Sequence, residues 1–265
     1  MIVNFTKMHG LGNDFVVIDL ITQGARLDKS QIVRIADRKF GVGCDQVILI
    51  TPPTRTEADF FYKIYNADGQ EVEQCGNGIR CAARFFIDNG LSNKTQLVAD
   101  CLGGTMLLQM MNNQQVAVNL GKNYSSVVTQ PLNFIAMPKE IHTVSTGNPH
   151  GVCIVENLKD VPINDWGKKL STNAMFPQQA NISFMQIIDR DQIKLRVYER
   201  GAGPTLACGS AACAAMLVGR SLNLLNNKVT VEFERGKLTI AYNVADQSLT
   251  MTGPATSVYI GRFRV

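Results

Sequence analysis

Residues 64–83 read IYNADGQEVEQCGNGIRCAA, and residues 197–215 read VYERGAGPTLACGSAACAA. In both, a tyrosine (Tyr65, Tyr198) is followed ten residues later by a Cys-Gly pair, Cys75-Gly76 or Cys208-Gly209, and the copies lie 133 residues apart. Each pair opens an alanine-bearing stretch of helical character, with Cys81-Ala82-Ala83 in one copy and Cys213-Ala214-Ala215 in the other. Further out, Gly12-Asn13 recurs as Gly147-Asn148, 135 residues on. Matched features in one order at nearly one offset mark a duplicated fold. The 265-residue chain therefore divides into halves, 1–125 carrying Cys75 and 126–265 carrying Cys208, with room for the extreme C-terminal strand to pack on the first half.

Around these segments the pattern is strand-rich. Short β-prone runs bounded by Gly, Asn, Pro or Asp fall at 15–19, 47–51, 60–65, 96–99, 105–110 and 116–120. They recur at 152–155, 182–188, 192–198, 229–234, 238–242 and 248–252. The clearest helix spans 77–89, with Ile79, Ala82, Ala83 and Phe86 on one face and Gly90 as its stop. Its counterpart spans 210–221, and weaker helices are expected at 29–39 and 166–172. The expected fold is α+β: two pseudo-symmetric domains, each wrapping strands around a central helix that begins at a cysteine. The stretch 120–140, punctuated by Gly121, Asn123, Pro131 and Pro138, reads as the boundary.

Composition narrows the function. Hydrophobic residues make up 45% of the chain and charged residues 18%, the balance of a protein with a real core. The net charge of +4 is spread thinly, with no Lys/Arg block to grip nucleic acid or a membrane surface. The N-terminal MIVNFTKMHG lacks a basic stretch followed by an apolar one, so no secretory signal is expected from it. Seven cysteines, an odd number, then read as reduced thiols in the cytoplasm. The chain has no G-x-G-x-x-G, Walker A, H-E-x-x-H or G-x-S-x-G sequence, and three histidines with no C-x-x-C pair offer little to a metal. The expected chemistry uses neither metal nor cofactor.

Cys75 and Cys208 remain. A thiol at a helix N-terminus meets the positive end of the macrodipole and free backbone N–H groups, which favour thiolate and can hold a carboxylate. Two such helix ends, aimed at one cleft between the domains, would place sulfurs on opposite faces of a bound carbon. A thiolate then removes an α-proton while a thiol across the cleft returns one to the other face, which inverts the stereocentre. The helix ends stabilise the charge that builds on the carboxylate. Cys44, Cys81, Cys101, Cys153 and Cys213 lack the glycine neighbour and helix start, and read as core.

The segments KMHGLGNDF (7–15), GCDQ (43–46), CGNGIRCAARF (75–85), GNPH (147–150), NISFMQ (181–186), YERGAG (198–203) and ACGSAACAA (207–215), in this order, resemble diaminopimelate epimerase. The resemblance runs from residue 3 to about 260. It implies two domains of that type with the active site in the cleft between them. It also implies cofactor-free interconversion of L,L- and meso-diaminopimelate in lysine and peptidoglycan precursor synthesis, in the cytoplasm, and leaves a homodimer open. By the same resemblance Cys75 and Cys208 are the acid/base pair, with Glu199 and His150 assisting. Gly76, Asn77, Gly209 and Ser210 present N–H groups to the α-carboxylate. Asn13, Gln46, Asn66, Asn148, Asn181 and Arg200 hold the rest of the substrate, Arg200 as partner of the distal carboxylate. Two departures stand out: Pro204 replaces a usual glutamate and Ala211 a frequent glycine.

Other readings compete. A proline or hydroxyproline racemase also uses two cysteines, but its substrate has no second charged end for Arg200. A dithiol redox protein, or a binding module on the same fold, would act on dithiols or merely bind.

Overall fold

The computed structural model describes residues 1–73 and 75–265. The elements in chain order are β1 (Ile2–Gly10), β2 (Asn13–Asp19), α1 (Lys29–Ala36), β3 (Gln46–Thr51), β4 (Phe60–Asn66), β5 (Glu71–Val72), α2 (Gly76–Asp88), β6 (Gln96–Cys101), β7 (Gly104–Met110) and β8 (Gln115–Gly121). There follow β9 (Val128–Pro131), β10 (Glu140–Ser145), β11 (Pro149–Ile154), α3 (Ile163–Ser171), β12 (Asn181–Asp189), β13 (Gln192–Glu199) and β14 (Gly203–Thr205). The chain closes with α4 (Gly209–Ser221), β15 (Lys228–Phe233), β16 (Gly236–Tyr242), β17 (Leu249–Pro254) and β18 (Thr256–Arg264).

The chain forms two units. One comprises Met1–Asn119 with Thr252–Val265, the other Leu120–Met251. The division therefore falls inside β8 and β17, not at 125/126. The stretch 120–140 is not mere linker, since β9 pairs with β10 along Val128–Pro131. Pro131 sits at the last residue of that strand, where a missing N–H costs the ladder least.

In the first unit, β1 pairs antiparallel with β2, β2 parallel with β3, β3 antiparallel with β4, β4 parallel with β6, and β6 antiparallel with β7. In the second, β10–β11, β11–β12, β12–β13, β13–β15 and β15–β16 repeat these five relations with the same directions. The duplication read from the cysteines is thus written into the ladders. It reaches the turns: Gly12 and Gly147 both have left-handed backbone, with φ of 92° and 91°, which only glycine adopts freely.

A helix fills each unit. α2 packs against β1, β2, β3, β4, β7 and β18, and α4 against β10, β11, β12 and β16. Residues Ala211–Gly219 of α4 are all buried, as expected of a helix apolar all round and lined with alanines that let strands approach. α2 adds larger groups, with Phe86 stacked on Phe60 at a centroid distance of 4.6 Å. Both helices have a cysteine as N-cap and both close with the same bonds. Gly90 N–H donates to Ile87 O and Leu91 N–H to Phe86 O, while Asn223 donates to Arg220 O and Leu224 to Gly219 O. Gly90 and Asn223 are left-handed, as this closing motif requires.

The sequence pattern did not disclose β1, β5, β9, β10 or β14. β1 pairs with β18 from Ile2↔Arg264 to His9↔Thr256, so its partner lies at the far end of the chain. α1 is shorter than expected because Asp37 caps it and its carboxylate takes the N–H groups of Lys39 and Phe40.

Candidate active site

In the first unit the candidate residues gather at one end of the strands. Cys75 is the N-cap of α2, with extended backbone (φ −144°, ψ 119°), and its sulfur accepts the Gly78 N–H at 3.4 Å. The same sulfur donates to Asn13 Oδ1 at 3.8 Å, and Asn77 Nδ2 donates to that oxygen at 3.3 Å. Cys75 is thus supported as thiolate by an amide N–H and as thiol by a carbonyl oxygen. Gln46 and Asn66 pair directly across β3 and β4, and Gln46 Nε2 donates to Asn66 Oδ1 at 2.9 Å.

A charged cluster anchors this end, and sequence reasoning missed it. Asp14 Oδ2 lies 2.6 Å from Lys7 Nζ, and Asp14 Oδ1 lies 2.7 Å from Arg38. Arg38 also reaches Asp45 Oδ1 at 2.8 Å, and Lys7 donates to Gly43 O. Asp14 and Asp45 each accept the other's backbone N–H, while Asp45 Oδ2 takes Asn13 Nδ2 at 3.1 Å. Burial opposes the charge on Asp14, but hydrogen bonds from Arg38 and Lys7 and the Asp45 N–H outweigh it and hold the carboxyl well below the usual range. The signal was present in GLGNDF and GCDQ, each with an aspartate beside a candidate amide. Lys7 serves here as a tie between β1, β2 and the loop before β3.

In the second unit, Cys208 is the N-cap of α4 (φ −135°, ψ 119°) and is buried. Its thiol donates to Glu199 Oε2 at 3.2 Å and lies 3.4 Å from Ser210 Oγ. Thr205 Oγ1 holds the other Glu199 oxygen at 2.5 Å. Sequence reasoning expected a lowered thiol pKa from the helix end. Instead burial, joined by the Glu199 charge, pushes Cys208 well above the ordinary value, against the lowering effect of Ser210 and the Ala211 N–H. Pro204 sits exposed in β14, opposite Tyr198, and the β13–β14 pairing brings Thr205 to Glu199.

Around Cys208's unit the remaining residues are held in pairs. Asn181 Oδ1 accepts the Arg200 N–H at 2.9 Å, and Arg200 Nη1 donates to Gln178 O at 3.0 Å. His150 pairs with Asn181 in the parallel β11–β12 ladder, as Phe15 pairs with Gln46 in β2–β3. His150 is fully buried, and its Nε2 lies 2.9 Å from Asn148 Oδ1, which also accepts from Thr146 Oγ1 at 3.4 Å. An amide oxygen only accepts, so Nε2 carries the proton. Nδ1 is buried with no hydrogen-bond partner among the described residues. Burial, with the nearby Arg200 charge, lowers His150 to about 3.

The other thiols are structural in kind. Burial pushes Cys44, Cys81 and Cys153 up to about 12 each. Cys101 bonds to Gly104 O at 3.3 Å. Among the described residues no group of three His, Cys, Asp or Glu side chains is placed to hold a metal ion, and no helix is long and apolar enough to cross a membrane.

Comparison with known proteins places the chain in a family. The family model for diaminopimelate epimerase matches residues 5–125 and 142–258. Diaminopimelate epimerase of Acinetobacter baumannii (strain AYE) is 45% identical over 276 residues, covering 99% of this chain and 97% of its own. The enzyme of that name from Azotobacter vinelandii (strain DJ / ATCC BAA-1303) is 41% identical and covers 100% of both chains. Among solved structures, a phenazine biosynthesis protein of the PhzF family from Bacillus anthracis matches with a TM-score of 0.75 over 100% of both chains at 16% identity. A hydroxyproline epimerase from Agrobacterium vitis matches with a TM-score of 0.68 over 99% of this chain and 91% of that one at 14% identity. At those identities the two structures speak for the fold alone. Carried by a match over nearly its whole length, the chain belongs to the diaminopimelate epimerase family.

Proposed function

We propose that this chain interconverts L,L- and meso-diaminopimelate by passing the α-proton through Cys75 and Cys208. The observation that carries the reading is the recurrence of one device. Each unit presents a cysteine as the N-cap of a helix of 13 residues, in a chain of this family. When Cys208 acts as base, its own proton moves to Glu199 Oε2, which already accepts it at 3.2 Å. The thiolate then takes the α-proton, and the C–H electron pair delocalises into the substrate carboxylate. Cys75 gives its thiol proton to the opposite face, and the reverse reaction exchanges the roles.

The α-carboxylate binds at the helix starts, to the N–H groups of Gly76, Asn77, Gly209 and Ser210, which stabilise the charge formed on proton removal. Asn13, Gln46, Asn66, Asn148, Asn181 and Arg200 orient the rest of the substrate. Arg200 takes the distal carboxylate, to which its planar guanidinium is suited. His150 stays neutral and works through Asn148: by occupying its oxygen, it leaves the amide nitrogen to donate. The reading carries with it a cytoplasmic setting, in which the cysteines stay reduced, and the binding steps involve no cofactor.

The test is incubation of reduced protein with L,L-diaminopimelate in deuterium oxide, with L-proline as control. Deuterium at the α-carbon and meso product are expected from the wild type, with epimerisation lost in Cys75→Ala and in Cys208→Ala. Turnover of proline in place of diaminopimelate, or epimerisation surviving in either variant, overturns the reading.

A further inference from the structure

Arg80 lies one turn into α2, in the CGNGIRC segment, and its side chain is fully buried. A buried cation is costly unless its donors are all engaged. Its named acceptors sit around the start of the helix. Nη1 donates to Gly76 O at 3.0 Å, Nη2 to Asn77 Oδ1 at 2.8 Å and Nε to Pro254 O at 3.3 Å. Gly10 makes room for this arrangement, because a Cβ there would come within 3.1 Å of Arg80 Nη2 and 3.2 Å of Asn77 Cβ.

The bonds continue from Arg80 in one direction. With its oxygen occupied by Arg80, Asn77 turns Nδ2 to Asn13 Oδ1. With its oxygen so occupied, Asn13 turns Nδ2 to the Asp45 carboxylate. The run thus leads from a buried cation through two amides to an anion, and the charges at its ends forbid either amide to flip. Cys75 is bonded to the middle of it, donating to Asn13 Oδ1.

We propose that Arg80 is a positioning residue that sets the polarity of this Arg80–Asn77–Asn13–Asp45 relay, so that Asn13 presents an oxygen to Cys75 and favours its thiol, the proton-donating form, in balance with the Gly78 N–H that favours the thiolate. The assignment of Cys75 as acid rests on the function proposed above, whereas the relay is a property of the free protein and is tested without substrate. Released from either end, Asn13 can turn its nitrogen to the sulfur, which favours thiolate.

The experiment is the pH dependence of Cys75 alkylation by iodoacetamide, followed by mass spectrometry of the Cys75 peptide in the full-length protein. Arg80→Lys keeps the charge and loses the planar fork. Asp45→Ala removes the far acceptor at a half-exposed position, and because it also frees Arg38 and the Asp14 N–H, urea unfolding of each variant accompanies the alkylation. Each is expected to lower the midpoint by about 0.5–1 pH unit, a roughly three- to tenfold faster reaction near neutrality. In the double variant the shifts are expected to coincide and not add, because both break one relay. A midpoint unmoved in Asp45→Ala overturns the proposal, as do additive shifts, which would mean two independent charge effects. The kinetic arm is separate: Arg80→Lys is expected to lower kcat for diaminopimelate more than it raises KM. If alkylation behaves as described and the protein epimerises nothing, the relay stands and the functional reading fails.

Discussion

Replacing His150 separates proton transfer from positioning. The side chain is wholly buried, with its protonated Nε2 on Asn148 Oδ1, and it is held at about 3 against an ordinary 6.5. That gap corresponds to about 5 kcal/mol against charging it in the folded protein, at 1.36 kcal/mol per pH unit. The unfolded chain therefore takes up a proton below pH 6.5 while the folded chain does not until about 3. Stability is full above pH 6.5 and falls on acidification by up to about 1.4 kcal/mol per pH unit in that window. Between pH 7 and 4.5, wild type should lose about 2–3 kcal/mol more than His150→Gln, which cannot be protonated. Urea denaturation at both pH values measures this, and nitrogen-15 shifts of the imidazole report the tautomer directly. Because glutamine places an N–H near the Nε2 position, His150→Gln should keep kcat within about fivefold, while His150→Leu should lose about tenfold or more for want of that hydrogen bond. Imidazole shifts titrating between pH 5 and 7, or equal acid sensitivity in wild type and His150→Gln, would refute the reasoning.

Other expectations follow from the same geometry. Glu199→Gln removes the charge that helps to raise Cys208 and the acceptor for its proton. Epimerisation should fall about 100-fold or more while alkylation of Cys208 at pH 8 quickens; a parallel fall in both would contradict the assignment. In native wild type, half-buried Cys75 should label first at pH 8, and Cys44, Cys81 and Cys153, raised to about 12, should stay unlabelled until the protein unfolds. Peptide mass spectrometry distinguishes the cases, and early labelling of Cys81 would be the adverse result. Gly219→Ala puts a Cβ within 2.3 Å of Leu225 Cδ1 on the loop closing α4, so urea unfolding should show a loss of about 1–3 kcal/mol. A variant as stable as wild type would mean that this turn repacks freely.

Much of this protein was legible from short-range pattern. The recurrence of Cys-Gly before an alanine-rich stretch announced the duplication, and the helix starts and the Gly90 stop followed from capping chemistry that spans only a few residues. The amide-bearing turns Gly12-Asn13 and Gly147-Asn148 were equally visible, since left-handed backbone demands glycine locally. Strands such as β3 and β4 showed themselves because their own residues alternate or run apolar between turn signals.

What the tertiary structure alone decided is which groups carry charge. A cysteine at a helix start reads as a thiolate, yet Cys208 is driven the other way by burial and by Glu199, nine residues earlier in the chain. The family resemblance gives His150 an assisting part in catalysis, and only the packing shows that its site excludes the charged form. Arg80 stands four residues into a helix that local pattern discloses, but its burial and its bond to Pro254, 174 residues away, belong to the assembled fold. Lys7, Asp14, Arg38 and Asp45 meet only when β1, β2 and the loop before β3 are assembled. Ionisation depends on the dielectric and on neighbours within a few ångströms, and both are set by segments distant in sequence. Local pattern therefore names the reacting atoms, and packing sets their protons.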